Sequence, residues 1–256
     1  MRWIAIMFLT IIVSCKNDYG KHNFSFPEVL DTLPTTEIIY STQSMKTPIN
    51  DILAIGDKDL HQIKISKEQP VRYNEPARYR DTLLHKSGLQ ILVDTNQIMA
   101  IDLGYYEIPP PPPLNGENNS FTKNTYLVQA LNVYVVNSSE QITHVDHQDA
   151  RLIMIQEAKD EFGNWRPIEF WRHHRSGTPY GTIELHPDQF VISKILRYNG
   201  EFETNIRLKL KNGKHTVYSE PFRGTINTNQ FNLPDSFYEW QQYMQENISL
   251  DRIFLN

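Results

Sequence analysis

Short apolar stretches separated by turn residues fill the chain between residues 126 and 232. Clear examples are Leu131–Val136, Leu152–Ile155 and Phe190–Tyr198, which are rich in Val, Ile and aromatic residues and end near Asn, Gly, Asp or Ser. Such residues favour strands, and turn signals at short, regular intervals are typical of sandwiches and barrels. The pattern therefore predicts an all-β, antiparallel β-sandwich over residues 126–232, and we expect an immunoglobulin-like arrangement of its strands.

The segments on either side of Asn212-Gly213 form the clearest predicted hairpin. Asn-Gly is a favoured central pair of a type I′ turn, in which both central residues take positive φ. With this pair as the loop, Leu208 faces Val217. Apolar side chains then share one face of the hairpin and polar side chains the other, as expected for an antiparallel pair with one buried face.

A weaker version of the strand pattern covers residues 51–108 and predicts a β-rich N-terminal segment. Within it, Leu89–Val93 and Ile98–Ile101 are predicted to form a hairpin around a turn at 94–97. Residues 109–125 begin with five consecutive prolines, which favour the stiff polyproline II conformation. We therefore expect a Pro-rich linker over 109–125 between the N-terminal segment and the sandwich.

Both ends of the chain depart from the strand pattern. Residues 15–50 are polar, contain three prolines and lack sustained periodicity, which predicts a flexible tether. Residues 233–256 predict a C-terminal helix and tail, with the helix beginning near Asp235 and its apolar side chains on one face. We expect that face to pack on the sandwich. It contains Phe237, Trp240 and Met244.

The first fourteen residues have the composition of an export signal. Arg2 precedes an apolar run from Trp3 to Val13. As a helix this run would extend about 16 Å, well short of a hydrocarbon core about 30 Å thick. A basic residue followed by such a run predicts a signal peptide over residues 1–14.

The sequence Ile12-Val13-Ser14-Cys15 resembles the lipobox of bacterial lipoproteins. The resemblance implies cleavage before Cys15, a diacylglycerol on its thiol, and acylation, for example by palmitate, of the new amino terminus. Two or three acyl chains anchor a protein stably where one does not. Membrane lipid is thus the first expected partner. The alternative is a buried N-terminal helix with an incidental cysteine.

Short sequences near the N-terminus and at residues 81–83 indicate the kind of bacterium. Asp31-Thr32-Leu33 and Asp81-Thr82-Leu83 resemble the Asp-Ser/Thr-aliphatic sequence at which Bacteroidota-type bacteria O-glycosylate exported proteins. Lys16-Asn17-Asp18 partly resembles the signal that sends some of their lipoproteins to the cell surface. These resemblances imply a Bacteroidota-type lipoprotein of the outer membrane and leave open which face carries it.

Composition limits the remaining possibilities. The 256 residues include a single Cys, so an internal disulfide and clustered-cysteine zinc or iron–sulfur sites are excluded. The net charge of −5 provides no overall basic field, and we expect no nucleic-acid partner. Hydrophobic residues make up 39% and charged residues 21% of the chain, which is typical of a folded protein.

The local sequence motifs of common enzyme classes are missing. The chain has no His-Glu-x-x-His, Gly-x-Ser-x-Gly, phosphate-binding loop or dinucleotide fingerprint. We therefore expect a non-catalytic binding or scaffolding module that needs no cofactor, with an envelope protein or glycan as its partner.

Histidines suggest one alternative, a metal-dependent hydrolase. The segment 144–149 is predicted to be a polar loop, and its His144, Asp146 and His147 are residue types that ligate metals. The basic stretch His173-His174-Arg175 is predicted to be a loop tip. A meeting in space of His144, His147 and one residue of this second segment would strengthen the metal hypothesis.

Aromatic and acidic residues suggest two further alternatives. Exposed together, the aromatic residues would form a stacking platform for sugar rings, whereas buried they would fill the core. This set is Trp165, Phe170, Trp171, Tyr180 and Phe190. A pair of suitably spaced carboxylates would be needed for glycoside hydrolysis. The candidates around one predicted hairpin are Glu157, Asp160, Glu161 and Glu169.

Overall fold

The computed structural model describes residues 24–65, 88–105, 125–172, 180–244 and 248–256. Within these ranges the chain is built mainly from antiparallel strands and ends in short helices, which confirms the predicted all-β class with a C-terminal helix. The strands are β1 (Glu28–Asp31), β2 (Tyr40–Ser41), β3 (Ala54–Asp57), β4 (Gln62–Ile65), β5 (Leu89–Asp102), β6 (Leu127–Asn137), β7 (Thr143–Gln148), β8 (Arg151–Leu152), β9 (Met154–Lys159), β10 (Trp165–Pro167), β11 (Tyr180–Leu185), β12 (Gln189–Leu196), β13 (Tyr198–Asn199), β14 (Phe202–Asn212), β15 (His215–Tyr218) and β16 (Phe222–Ile226). The helices are α1 (Asp235–Met244), α2 (Leu250–Ile253) and two 3₁₀ turns, Leu103–Tyr105 and Thr228–Phe231.

A four-stranded antiparallel sheet in the order β3-β12-β6-β5 lies at the centre of the molecule. Its strand β6 is buried on both faces: Val133 points to one side and Tyr134 to the other, and neither is exposed. This explains why the apolar run Leu131–Val136 does not alternate with polar residues, since a strand covered on both faces has no solvent side.

Two further sheets cover one face of the central sheet. One has the order β10-β9-β14, with β15 and β16 pairing successive parts of β14, and the other has the order β11-β7-β8. Leu208 and Leu210 of β14 pack in the same core cluster as Val133 and Val135 of β6. The result is a sandwich-like arrangement of sheets, as predicted; the immunoglobulin-like strand order stays a prediction.

Residues 24–50, predicted as part of a flexible tether, are folded from Phe24 onward. Strand β1 pairs in parallel with β4, and β2 pairs in parallel with β13. Val29 and Met45 are buried. The tether prediction is therefore wrong for this part, because isolated apolar residues in a polar stretch reach the core individually without a periodic pattern. Residues 1–23 lie outside the described ranges.

The predicted hairpin between residues 89 and 101 is also wrong. Strand β5 continues through it and pairs with β6 on both sides of an irregularity between Asp94 and Ile98. The Asp94 carboxylate accepts hydrogen bonds from the backbone N–H of Asn96, at 2.9 Å, and of Gln97, at 3.4 Å. The turn-like residues thus form a bulge, not a reversal. Strands on either side of the predicted 109–125 linker belong to one sheet, and residues 109–124 lie outside the described ranges.

The hairpin of β14 and β15 is present, but its loop is Gly213-Lys214 instead of Asn212-Gly213. Leu210 faces Val217, and Asn212 faces His215. Gly213 has φ of +58°, whereas Asn212 stays in the strand. The Asn212 side chain accepts a hydrogen bond from the backbone N–H of Asp146 at 2.9 Å. A tertiary contact to β7 therefore determines this register. Moving the loop by one position shifts the pairing between the two strands by two residues, so the apolar and polar faces of the hairpin keep their sides.

The C-terminal helix α1 begins at Asp235, as predicted. Phe237 is buried, and its ring centroid lies 5.3 Å from that of Phe170. A second helix, α2, leads into a tail in which Leu255 packs with Trp171. The tail therefore closes the outer face of the β9–β14 sheet.

Candidate functional site

The chain enters the described fold through a cluster of aromatic rings. Phe24 lies nine residues after Cys15, and its ring centroid is 5.4 Å from Tyr134 and 5.6 Å from Phe190. Tyr134 and Phe190 are fully buried, whereas Phe26, 5.3 Å from Tyr134, is 37% exposed. Cys15 itself lies outside the described residues, so its lipidation stays a prediction.

A buried ion pair holds the first strand on the central sheet. The Lys194 ammonium contacts the Asp31 carboxylate, and both side chains are more than nine-tenths buried. Lys194 Nζ also donates to the carbonyl oxygen of Ala100 at 2.9 Å. The Gln97 side chain accepts from the N–H of Val29 at 3.2 Å and donates to its carbonyl at 3.0 Å. Strand β1 is thus held by polar contacts at the edge of an apolar core.

The same ion pair affects the first glycosylation-like tripeptide. The Asp31 carboxylate faces inward to Lys194, whereas Thr32 is exposed. The threonine hydroxyl is therefore accessible in the folded chain, and the acidic side chain that precedes it is not. The second tripeptide, residues 81–83, lies outside the described ranges.

The histidine segment is a strand, β7, and not the predicted polar loop. It ends in a tight turn at Asp149 and Ala150, whose φ angles are +52° and +60°. His144 and Asp146 occupy one face of β7, and His147 occupies the other. Ala rarely adopts positive φ, so the sequence carried little sign of this turn.

This alternation separates the proposed metal ligands. Among the described residues no group of three or more His, Cys, Asp or Glu side chains lies close enough to hold a metal ion. Burial lowers the pKa of His147, which packs beside Gly181. Burial raises the pKa of Asp146, whose carboxylate accepts the N–H of Gly213 at 2.6 Å. Residues 173–175 lie outside the described ranges.

The five aromatic residues do not form one exposed platform. Phe170, Trp171 and Phe190 are buried. The indole N–H of Trp171 donates to the Gln148 side chain at 3.0 Å. Trp165 is half-buried, with the Arg207 guanidinium 4.4 Å and the Lys159 ammonium 5.3 Å from its ring centroid. Three of the five residues thus belong to the core, which was the alternative to a stacking platform, whereas Tyr180 is 43% exposed.

The acidic residues of the β9–β10 hairpin have distinct structural contacts. Glu157 is buried and pairs with Arg207 at 2.7 Å and with Lys209 at 3.6 Å. Asp160 accepts backbone N–H groups at the turn, including that of Asn164 at 2.8 Å. Glu161 is exposed at the same turn. These contacts confirm the predicted turn. They also give Glu157 and Asp160 structural roles that do not involve a substrate.

Glu169 is the most unusual of these carboxylates, because it is completely buried. Burial raises its pKa to about 7, although three hydrogen bonds to the ionised form oppose the shift. The Gln156 backbone and side chain donate to it at 2.8 and 3.0 Å, and the Tyr198 hydroxyl donates at 2.8 Å. Burial, together with the charge of Glu169, raises the pKa of Tyr198. This group links β9 to β13.

Of these buried polar residues, sequence reasoning singled out Glu169 as a candidate carboxylate but missed its partner Tyr198 and Lys194. One signal for Lys194 was present: it is the one charged residue in the run from Phe190 to Leu196. A lysine inside a buried strand needs an acceptor. No sequence feature identified Asp31 as that acceptor, since it lies 163 positions away.

Comparison with known proteins identifies no relative: no family model, curated protein or solved structure matches the chain significantly. None of the helices in the described ranges is long and apolar enough to cross a membrane.

Proposed function

We propose that the chain is a Bacteroidota-type lipoprotein of the cell envelope, anchored in the outer membrane through acylated Cys15. The observation that carries the proposal is the sequence Ile12-Val13-Ser14-Cys15 after a basic residue and a short apolar run. Phe24, nine positions after Cys15, already packs against Tyr134 and Phe190. A lipid at Cys15 would hold the β-sandwich close to the bilayer.

We further propose that the sandwich binds or scaffolds an envelope protein or glycan without catalysis. The candidate catalytic groups support this interpretation because they make contacts within the fold. Glu157 pairs with Arg207, Asp146 accepts the N–H of Gly213, and Glu169 is enclosed by Gln156 and Tyr198. Each of these side chains has a structural role that does not require a substrate.

The test of the anchor is Cys15→Ala, with Ser14→Ala as the matched control that keeps a small residue before the cysteine. Cells are labelled with radioactive palmitate, and precursor and mature forms are separated by size. We expect Cys15→Ala to accumulate as an unlabelled precursor and Ser14→Ala to be processed and labelled. Normal processing and labelling of Cys15→Ala would refute the anchor.

Location is tested on the native chain. Density-gradient separation of the membranes is expected to place the protein with the outer membrane. Protease treatment of intact cells then distinguishes the two faces, because a surface protein is degraded and a periplasmic one is protected. Recovery in the soluble fraction would contradict the proposed location.

A further inference from the structure

Two partly exposed apolar side chains lie near the point where the chain enters the fold. Phe26 is 37% exposed and Leu60 is 38% exposed. Phe26 is linked to Phe190 through Phe24, whose ring centroid lies 5.5 Å from that of Phe26 and 5.6 Å from that of Phe190. Leu60 lies beside Phe190, since a Cβ at Gly56 would be 2.7 Å from the Phe190 ring and 2.8 Å from Leu60 Cδ1. We call Phe26, Leu60 and the β3–β4 turn that carries Leu60 the entry patch.

The distance from the predicted anchor to the entry patch is limited by chain length. Phe24 lies nine positions after Cys15, and an extended chain spans at most about 3.6 Å per residue, or about 32 Å. A surface linked this closely to a bilayer experiences it at an effective concentration on the order of millimolar. A weak apolar contact can therefore be well populated.

The turn between β9 and β10 lies toward the end of β12 that is opposite Phe190. Phe190 and Leu196, near the two ends of β12, lie about 20 Å apart at ~3.3 Å per residue. Gln156 of β9 donates its side-chain N–H to the carbonyl of Leu196. Strand β9 runs antiparallel to β14, toward the start of β14 at Phe202, so the turn at 160–164 lies on the Leu196 side, away from the entry patch. Its Phe162 is 79% exposed.

We infer that the entry patch is the surface that rests on the lipid bilayer, with the 160–164 turn pointing away from it. The inference rests on the proposed anchor at Cys15. Aromatic and aliphatic side chains partition into the bilayer interface, and Phe26 and Leu60 are of this kind. Lys58, in the β3–β4 turn, pairs with Asp188 at 2.5 Å. The contact therefore needs no anionic lipid, in agreement with the acidic net charge of the chain.

The experiment uses the acylated full-length protein, extracted from membranes and reconstituted into phosphatidylcholine vesicles. Acylation of Cys15 leaves no other thiol in the chain, so one new cysteine can be labelled specifically. The two matched positions are exposed acidic turn residues, Asp59→Cys at the entry patch and Glu161→Cys at the opposite turn. Each carries an environment-sensitive fluorophore, and the vesicles contain lipid with a nitroxide near the headgroup.

We expect the label at residue 59 to be quenched at least twofold more than the label at residue 161. Phe26→Ser should reduce this difference, whereas Phe162→Ser should leave it unchanged. Equal quenching, or stronger quenching at residue 161, overturns the inference.

Flotation of the same vesicles separates failure of the inference from failure of the anchor. Protein that floats with the vesicles but shows no difference in quenching retains the anchor and refutes the orientation. Protein that does not float, and whose unmutated chain reacts with a maleimide at Cys15, refutes the anchor itself.

Discussion

Two buried lysines hold the two ends of the described chain, and they do so differently. Lys194 holds β1 through the Asp31 carboxylate, which belongs to the strand being held. Lys209 holds the C-terminal tail through neutral acceptors, the carbonyl of Phe254 at 2.8 Å and the Asn256 side chain at 2.5 Å.

The charge that balances each lysine explains the difference. At the N-terminal end, strand and counter-charge are removed together if β1 separates from the sheet. At the C-terminal end, the counter-charge of Lys209 is Glu157, which lies at 3.6 Å and belongs to the sheet and not to the tail. Burial lowers the pKa of Lys209, and the charge of Glu157 opposes this shift only in part. An ion pair that joins a segment to the core should therefore couple that segment to folding more strongly than hydrogen bonds to neutral groups.

The largest effect is expected for Asp31→Ala. It removes the carboxylate from the buried ammonium of Lys194, and breaking a buried pair typically costs about 3–5 kcal/mol of the free energy of unfolding. Urea denaturation measures this change. The matched control is Glu203→Ala, which breaks the exposed Glu203–Arg223 pair and should cost less than about 1 kcal/mol.

The double variant Asp31→Leu/Lys194→Met tests the cause. Replacing both charges by apolar groups should recover most of the lost stability, because no uncompensated charge remains buried. The comparison would be wrong if Asp31→Ala were no more destabilising than Glu203→Ala.

Glu169 adds a buried carboxyl group whose hydrogen-bond donors are neutral. Its pKa is about 7 in the folded chain and near 4.5 ordinarily, so the folded state binds more protons between these values. The contribution of Glu169 to the free energy of unfolding should therefore be greatest below pH 4.5. It should fall by on the order of 3 kcal/mol as the pH rises to about 7.

Glu169→Gln should remove this contribution, so that stability depends less on pH between 4.5 and 7 whatever its absolute value. Chemical denaturation across that range gives the slope. Glu161→Gln, at an exposed position, should keep the slope of the native chain. A Glu169→Gln curve parallel to the native one would show that the carboxyl group titrates normally.

Lys209→Met should have the smallest effect. Glu157 keeps its pairing with Arg207, and the tail loses hydrogen bonds to neutral acceptors, which we expect to cost about 1–2 kcal/mol. The tail should also exchange its amide hydrogens faster, while the exchange of β6 changes little. Lys211→Met, on the same face of β14, removes only the longer contact of Lys211 Nζ with the carbonyl of Asn256, at 3.4 Å, and should cost less. A cost as large as that of Asp31→Ala would remove the distinction between the two ends.

Sequence patterns predicted the elements whose signals are local. The turn at 160–164, the strand from Phe190, and the helix from Asp235 follow from turn residues, apolar runs and capping residues a few positions apart. Errors arose where a distant contact outweighed the local signal. Pairing with β6 converted the expected turn after Val93 into a bulge, and the contact between Asn212 and Asp146 moved a hairpin loop by one position.

The candidate sites divide in the same way. The lipid attachment at Cys15 is inferred from neighbouring residues alone and stays a prediction that the folded part does not address. Alternation along a strand separated His144 from His147, a consequence of β geometry that became apparent once the segment was known to be a strand.

By itself, the sequence determined the β-rich class, the C-terminal helix and the signal that suggests an anchored protein, because periodicity, turn chemistry and short motifs act over a few residues. Tertiary structure alone decided that residues 24–50 join the core, that Lys194 meets Asp31, and that Glu169 is enclosed by Gln156 and Tyr198. The physical reason is that burial brings together groups far apart in the chain, and the cost of burying a charge depends on partners that no local pattern specifies.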